Sequence, residues 1–303
     1  MKSEGNKDDQ PPRKSSRQTV TTASSIALLV VLLGWGAWHW LSSPSEEVVK
    51  HLDVAIGDSS QLSGKVAKDF GNKIRSRKAN VDDFVDEATG TFRALGSIFD
   101  SDAEKQNAMA ELFADEVLSD KDLQEWAGLA LAEHKAGLTQ IQNELAANLD
   151  GVLADNLALS LQTRFQTTLD NDFHELAGGA SDATLIREGS LVVLELIVIE
   201  QIITAVLART GTSAAIAGTG AANAYWTFGL SIVAAIGIDF LWDWLDESDD
   251  RLAEETRQTL DLQAGAAEEE MQKILLRIAA GTTEDWRDEI RTITFKTTIG
   301  LDP

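Results

Sequence analysis

The feature that most limits how this chain can fold is an uncharged, apolar stretch near its N-terminus. No charged residue lies between Arg17 and Glu46, and the sequence from Ile26 to Leu41 is almost continuously apolar. A helix needs about 20 residues to cross the hydrocarbon core of a bilayer. Together with the small residues that precede Ile26, the stretch is close to that length. It predicts a transmembrane helix over residues 24–41.

A cleaved signal peptide is the alternative explanation of the same stretch. A signal peptide ends in small residues at its cleavage site, whereas this stretch ends in Trp35, Trp38, His39, Trp40 and Leu41. Indole rings favour the membrane–water interface, where the ring is buried and the N–H stays hydrated. The pattern therefore favours an uncleaved anchor.

The charges on either side of the stretch predict its orientation. Basic side chains outnumber acidic ones in residues 1–23, and acidic residues predominate just beyond the stretch. Basic flanks stay on the cytoplasmic side of a membrane. We therefore expect residues 1–23 to be a disordered cytoplasmic tail and the chain from residue 42 onward to be extracytoplasmic. These expectations place the protein in a plasma membrane, the inner membrane in a bacterium.

Composition favours helices and excludes several classes of function. The 303 residues include only 4 prolines and no cysteine, and the net charge is −23. A strand-rich fold needs more turn residues than this, so the predicted fold class is all-α. The missing thiol excludes disulfides, thiolate nucleophiles and cysteine-ligated zinc. The strong negative charge repels phosphate groups, so we expect no nucleic-acid partner.

Residues 43–178 are predicted to form an acidic, extracytoplasmic helical bundle. Capping boxes, in which a serine is followed three residues later by an acidic residue, begin at Ser43, Ser101 and Ser119. Asn80, followed by two aspartates, predicts a further helix start. Apolar residues recur every three or four positions between these starts. Such a narrow stripe predicts an elongated bundle or a coiled coil rather than a compact enzyme core.

The longest apolar stripe runs over residues 122–177. As a single helix it would be about 80 Å long. A break at Asp150 and Gly151 would instead give two antiparallel helices. The sequence leaves both arrangements open.

One basic cluster interrupts the acidic sequence, and it lies in the first part of the predicted bundle. It consists of Lys65, Lys68, Lys73, Arg75, Arg77 and Lys78. The favoured interpretation is a solvated helix face whose positive charges balance the negative charges of neighbouring acidic helices. The alternative is a docking surface for an acidic partner or for lipid headgroups.

Residues 184–246 are predicted to form a hydrophobic helical hairpin with a glycine-rich turn. In the favoured interpretation both apolar segments span the membrane, because Trp226 and Trp242 would lie ~24 Å apart along a helix, close to the spacing of two aromatic belts. Gly229 and Gly237 then provide a small face for close helix packing. In the alternative, the hairpin is the buried centre of the soluble bundle.

Three acidic residues lie within the apolar segments of the hairpin, namely Glu195, Glu200 and Asp239. Charges at membrane depth are costly and often functional, so these residues are candidates for lining a water-filled path for cations or protons. The alternative is a polar network, in which they bond to polar side chains of the turn or pair with Arg187 or Arg209.

No constellation typical of an enzyme is present. His174 and Glu175 lack the second histidine of a HExxH zinc site. His134 occupies a position in the longest stripe and is predicted to be a packed helix residue rather than a ligand. We therefore expect no catalytic residue, no metal site and no cofactor.

Residues 247–303 are predicted to contain an amphipathic helix that stops near Gly281. Trp286 would add a short turn beyond it, and the alternating pattern from Arg291 to Thr297 is that of a brief strand.

These features predict a non-enzymatic, membrane-anchored envelope protein that acts as a scaffold or interaction module. Its partners would be the lipid bilayer and either further copies of itself or another membrane protein. The alternative is a pore-forming or channel component that uses the hairpin of residues 191–245.

Overall fold

The structure is a computed structural model, and every regular element that it describes is helical. It describes residues 45–95, 101–150, 152, 161, 163–165, 197–206, 208–209 and 249–298. None of these residues lies in a strand, so the predicted all-α fold class is confirmed for this part of the chain.

The longest described elements are five α-helices and a short 3-10 helix. They are α1 (Glu46–Ser76), the 3-10 helix (Arg77–Asn80), α2 (Val81–Leu95), α3 (Asp102–Glu116), α4 (Asp120–Asp150) and α5 (Asp249–Thr298). Residues 197–206 and 208–209 are also helical and are called the 197–209 segment below. The larger of two compact units is Glu46–Glu289, and the end of α5 from Ile290 belongs to the other unit.

Two membrane predictions concern residues that are largely outside this description. Among the described helices, none is both long and apolar enough to cross a bilayer. The predicted anchor of residues 24–41 and most of the predicted hairpin of residues 184–246 lie outside the described residues. Both therefore stay predictions.

Two predicted capping boxes form at helix starts. Ser101 Oγ accepts the backbone N–H of Glu104 at 3.3 Å, which caps α3. At the start of α4, Ser119 Oγ accepts the N–H of Asp122 at 3.1 Å, and the Asp122 carboxylate accepts the N–H of Ser119 at 3.2 Å. The second box is reciprocal and therefore satisfies two backbone donors at the end of a helix.

The helix start predicted at Asn80 is confirmed, because α2 begins at Val81, but the Asn80 side chain does not cap it. Asn80 ends the 3-10 helix, and both Ser76 before it and Val81 after it keep right-handed helical dihedrals. A capping residue typically has an extended backbone, whereas Asn80 is the last residue of the 3-10 helix that precedes α2. The Asn80 amide instead donates to the carbonyl oxygen of Glu116 at 3.1 Å, at the end of α3.

Helix α1 runs antiparallel to both α4 and α5. Against α4, Ser63 contacts His134 and Arg77 contacts Asp122. The residue numbers therefore increase along α1 while those of their partners decrease along α4. Against α5, Gly64 lies beside Gln272 and Lys78 pairs with Asp261. Helix α1 is therefore the central element that α4 and α5 share.

Helices α2 and α3 extend the same apolar core. The rings of Phe84 and Phe113 meet edge to face, with centroids 5.3 Å apart. Both side chains are fully buried and belong to one continuous cluster with residues of α1, α4 and α5. An aromatic pair of this geometry adds to the stabilisation from buried area. It joins α2 to α3, the two shorter helices.

The predicted stop near Gly281 and the predicted strand over residues 291–297 are both wrong. Helix α5 continues without a break to Thr298. Buried side chains recur at Ile278, Thr282 and Trp286, which keeps the helical period. The hydroxyls of Thr282 and Thr294 donate to carbonyl oxygens four residues earlier, so these β-branched residues are satisfied within the helix.

Helix α4 ends at Asp150, where the sequence allows a break. The N–H of Val152 bonds to the carbonyl of Leu149 at 3.0 Å, as in a turn. Residues 153–160 lie outside the described part, and whether the chain reverses there stays a prediction.

At two glycines of α1, an added methyl group is expected to have opposite effects on the free energy of unfolding. At Gly71 a Cβ would lie 2.9 Å from Cβ of Glu268 on α5, whereas at Gly57 nothing lies within 4 Å. Gly71→Ala should lower the free energy of unfolding by about 1–3 kcal/mol, because two backbones are forced apart. Gly57→Ala should raise it by about 0.5–1 kcal/mol, because alanine loses less backbone entropy. Urea unfolding followed by circular dichroism measures both; two stabilising substitutions would show that α1 and α5 do not meet at Gly71.

Candidate functional site

The basic cluster of α1 pairs with acidic residues on both neighbouring helices. On the α4 side, Lys65 Nζ lies 2.9 Å from Glu133 Oε1, and Arg77 lies 3.2 Å from Asp122. On the α5 side, Arg75 lies 2.6 Å from Glu268, and Lys78 pairs with Asp261. For these four residues, the interpretation of the cluster as a helix face that balances the charge of neighbouring acidic helices is confirmed.

Most of these pairs are partly solvated, so they contribute to alignment more than to stability. The hydrogen bond from Lys65 to Glu133 raises the pKa of Lys65, but both side chains are exposed and water screens the pair. Arg77 is better held, because its guanidinium also lies 5.1 Å from the centre of the Trp126 ring. Its partner Asp122 belongs to the capping box of α4. The start of α4 is thereby tied to the end of α1.

A buried polar contact lies between α1 and α4. His134 Nε2 lies 2.9 Å from Ser63 Oγ, and the Ser63 hydroxyl donates its proton to the carbonyl oxygen of Ser59. Ser63 Oγ must therefore accept from Nε2–H, which leaves Nδ1 of His134 unprotonated and without a partner. Burial lowers the pKa of His134 to about 4. His134 is a neutral, packed helix residue, as its stripe position predicts.

The described half of the first hairpin segment packs into the bundle. Val198, Ile202 and Val206 are spaced four residues apart and are buried in the same core cluster as α1, α4 and α5. This is the packing that the soluble-bundle alternative predicts for these residues. The remainder of the hairpin lies outside the described part of the chain.

Arg209 at the end of this segment is tied to α5. Its guanidinium lies 2.5 Å from Glu269, which also lies 3.2 Å from Lys273. The hydrogen bond from Arg209, followed by that from Lys273, holds the pKa of Glu269 below its ordinary value. The pair is exposed, so it orients the end of the 197–209 segment against α5 and adds little to the free energy of unfolding.

A pocket of about 640 Å³ lies between the 197–209 segment and α5. Its apolar lining includes Val206, Leu262 and Ala266. Its polar lining includes Gln263, which is 1% exposed and whose amide nitrogen and oxygen both lack a hydrogen-bond partner. A buried polar atom without a partner costs about 1–3 kcal/mol. The amide of Gln263 is therefore an uncompensated polar group that is buried behind the wall of the pocket.

The predicted path residues are not brought together in the described part of the chain. Glu200 is exposed on the 197–209 segment, where its backbone carbonyl accepts the Thr204 hydroxyl at 2.7 Å. Glu195, Asp239, Gly229 and Gly237 lie outside the described residues. Of the predicted alternative partners of these acids, Arg187 is outside as well, and Arg209 pairs with Glu269. Both readings of the three acidic residues stay predictions.

Gln263 lies in the amphipathic helix that is predicted within residues 247–303, and its residue type alone indicates no role. The signal that marks it is a large polar side chain at a buried stripe position, and Thr256 lies on the same face seven residues earlier. Whether such a residue finds a partner depends on the neighbouring helix, which the sequence pattern does not specify.

Comparison with protein families, with curated proteins and with solved structures finds no match for this chain. Within the described ranges, no three histidine or carboxylate side chains gather in a geometry that could hold a metal ion. The described elements define an all-α bundle built around antiparallel helices.

Proposed function

We propose that this chain is a non-enzymatic, membrane-anchored scaffold whose helical bundle presents an interaction surface on the outer side of a plasma membrane. The anchor is the apolar stretch of residues 24–41, which ends in three indoles. The bundle is acidic, so it is repelled by anionic headgroups and is suited to project from the membrane. Its partners would be further copies of the chain or another membrane protein.

The observation that carries this proposal is the packing of the 197–209 segment. A pore-forming hairpin must turn its apolar face toward lipid. Here Val198, Ile202 and Val206 use that face in the core of the bundle. The described half of the first segment therefore supports a structural role over a pore.

Cysteine accessibility tests the proposed topology, because the chain has no native thiol. Leu129 on α4 is 51% exposed, and Ala127 two residues away is 0% exposed. In spheroplasts with full-length protein, Leu129→Cys should react with a membrane-impermeant maleimide. Ala127→Cys should react only after denaturation, which makes it the matched control. Leu129→Cys that reacts only after the membrane is permeabilised would place the bundle inside and contradict the proposal.

Three further measurements test the topology, the membrane anchoring and the absence of a pore. Thr219→Cys should be protected from the same reagent if the hairpin spans the membrane and accessible if it packs outside. Full-length protein should stay in the pellet after a sodium carbonate wash. Liposomes that contain the protein should show no ion flux above that of empty liposomes. Acid-dependent flux that disappears in Glu200→Gln would reject the scaffold and support a pore.

A further inference from the structure

The pocket between the 197–209 segment and α5 contains a carboxylate whose charge is not balanced. The pocket has a volume of about 640 Å³, within the range of about 300–1,000 Å³ that is usual for ligand pockets. The charged residues that line it are Arg209, Glu255 and Asp261. Arg209 pairs with Glu269, and Asp261 pairs with Lys78. In the part of the chain that the structure describes, the side chain of Glu255 has neither an ion pair nor a hydrogen bond.

Glu255 is also partly buried, which distinguishes it from the acidic residue before it. Glu254 is exposed, and its carboxylate accepts a hydrogen bond from the Gln258 amide at 2.8 Å. Water and salt screen a partly buried charge less than an exposed one. A cation therefore gains more from Glu255 than from Glu254.

The apolar part of the pocket lies on the same face of α5 as Glu255. Thr259, Leu262 and Ala266 all line the pocket, and they follow Glu255 at intervals of four, three and four residues. This face extends ~16 Å along the helix from Glu255 to Ala266. Ala266 and Val206 are almost fully buried and close the floor of the pocket, whereas Leu262 is 72% exposed. A hydrocarbon chain that extended from Glu255 along this face would cover Leu262.

We propose that this pocket binds a small organic cation in which an ammonium group carries a hydrocarbon chain. The ammonium group pairs with the Glu255 carboxylate, and the chain lies against Leu262. Gly265 also lines the pocket and leaves room for that chain, because a Cβ at this position would meet nothing within 4 Å. The site does not depend on the proposed scaffold role.

The other charges of the lining leave this preference for a cation intact. Asp261 and Lys78 balance each other. Arg209 is held at Glu269, which lies ~21 Å from Glu255 along α5. An anionic ligand in the same position would be repelled by Glu255. The ligand class is therefore cationic.

Four compounds test the ligand class. Hexylammonium has the charge and the chain, 1-hexanol has only the chain, hexanoate has the opposite charge, and butylammonium has a shorter chain. Saturation-transfer difference NMR with the full-length protein in a non-ionic detergent, corrected for the signal with detergent alone, gives the affinity of each compound. Hexylammonium should bind about fivefold more tightly than 1-hexanol, which is the upper range for a partly exposed ion pair. Butylammonium should bind about threefold more weakly than hexylammonium, because two methylene groups lose part of their burial. Hexanoate should bind more weakly than 1-hexanol.

Three variants assign the binding to this pocket. Glu255→Gln keeps the size of the side chain and should remove the preference for hexylammonium over 1-hexanol. Glu254→Gln changes the net charge by the same amount at an exposed position and should keep that preference, which makes it the matched control. Gly265→Leu fills the space beside Leu262 and should abolish the binding of hexylammonium. Circular dichroism confirms that each variant is folded.

Three results would overturn the proposal. The first is equal affinity of the wild type for hexylammonium and 1-hexanol, or no binding of hexylammonium. The second is an equal loss of preference in Glu254→Gln and Glu255→Gln, which would assign the binding to the net negative charge of the chain. The third is unchanged binding of hexylammonium in Gly265→Leu.

Discussion

Replacing Trp286 by alanine is expected to lower the free energy of unfolding by about 3–5 kcal/mol, the usual range for a buried aromatic side chain. The indole is fully buried in α5, and its ring centre lies 5.9 Å from that of Phe165. Nothing else in the chain past Gly281 buries so large a side chain among the described residues. Urea unfolding followed by circular dichroism measures the loss.

Trp286→Phe is the matched control for this substitution. It keeps an aromatic ring beside Phe165 and removes the indole N–H, which is buried without a partner. Removing an unsatisfied donor offsets part of the lost packing, so the cost should be less than half that of Trp286→Ala. If neither variant lowers the free energy of unfolding appreciably, the indole of Trp286 is not packed against Phe165, and the packing of α5 beyond Gly281 is contradicted.

Acidification from pH 7.5 to pH 5 is expected to cost about 2 kcal/mol through His134 alone. Burial lowers the pKa of this side chain from 6.5 to about 4 in the folded protein. The unfolded chain therefore binds a proton at a higher pH than the folded chain. The contribution to stability is complete above pH 6.5 and is lost progressively as the pH falls from 6.5 to 4.

The groups around His134 explain why its protonation is unfavourable in the folded protein. Nε2 already donates to Ser63 Oγ, and Nδ1 has no acceptor to receive a second N–H. His134→Gln retains a donor toward Ser63 but cannot titrate. Between pH 7.5 and pH 5, the wild type loses stability because its unfolded state binds one more proton at residue 134 than its folded state does. The free energy of unfolding of the variant should therefore change by at most about a third as much as that of the wild type. An identical pH dependence in both proteins would assign the acid sensitivity to other groups.

Much of the local structure could be predicted from the sequence, because its causes are local. The capping boxes at Ser101 and Ser119 depend on residues three positions apart, and both form. The helical period placed His134 on a packed face, and it is buried there. The charge of the basic cluster and of its acidic surroundings predicted ion pairing between helices, which the contacts of Lys65 and Arg75 confirm.

The wrong predictions share one cause. Each was made from the residue pattern of a short stretch, without the neighbouring helices that pack around it. Asn80 resembles a cap, but the chain stays helical there and the amide reaches α3 instead. The alternation from Arg291 to Thr297 resembles a strand, yet the helix that precedes it continues, with Ile290 and Ile293 buried and the Thr294 hydroxyl bonded within the helix. Propensity is a weak preference, and the continuation of a packed helix overrides it.

The amino-acid sequence alone determined that this chain folds into amphipathic helices, where several of them begin and which faces are apolar. These properties follow from hydrogen bonds and side-chain spacing within a few residues. Only the tertiary structure decided that α1 is shared by α4 and α5, that Gly71 is closely approached by Glu268, and that Gln263 is buried without a partner. Those facts depend on which helices meet and at what register, and residues far apart in the chain set both.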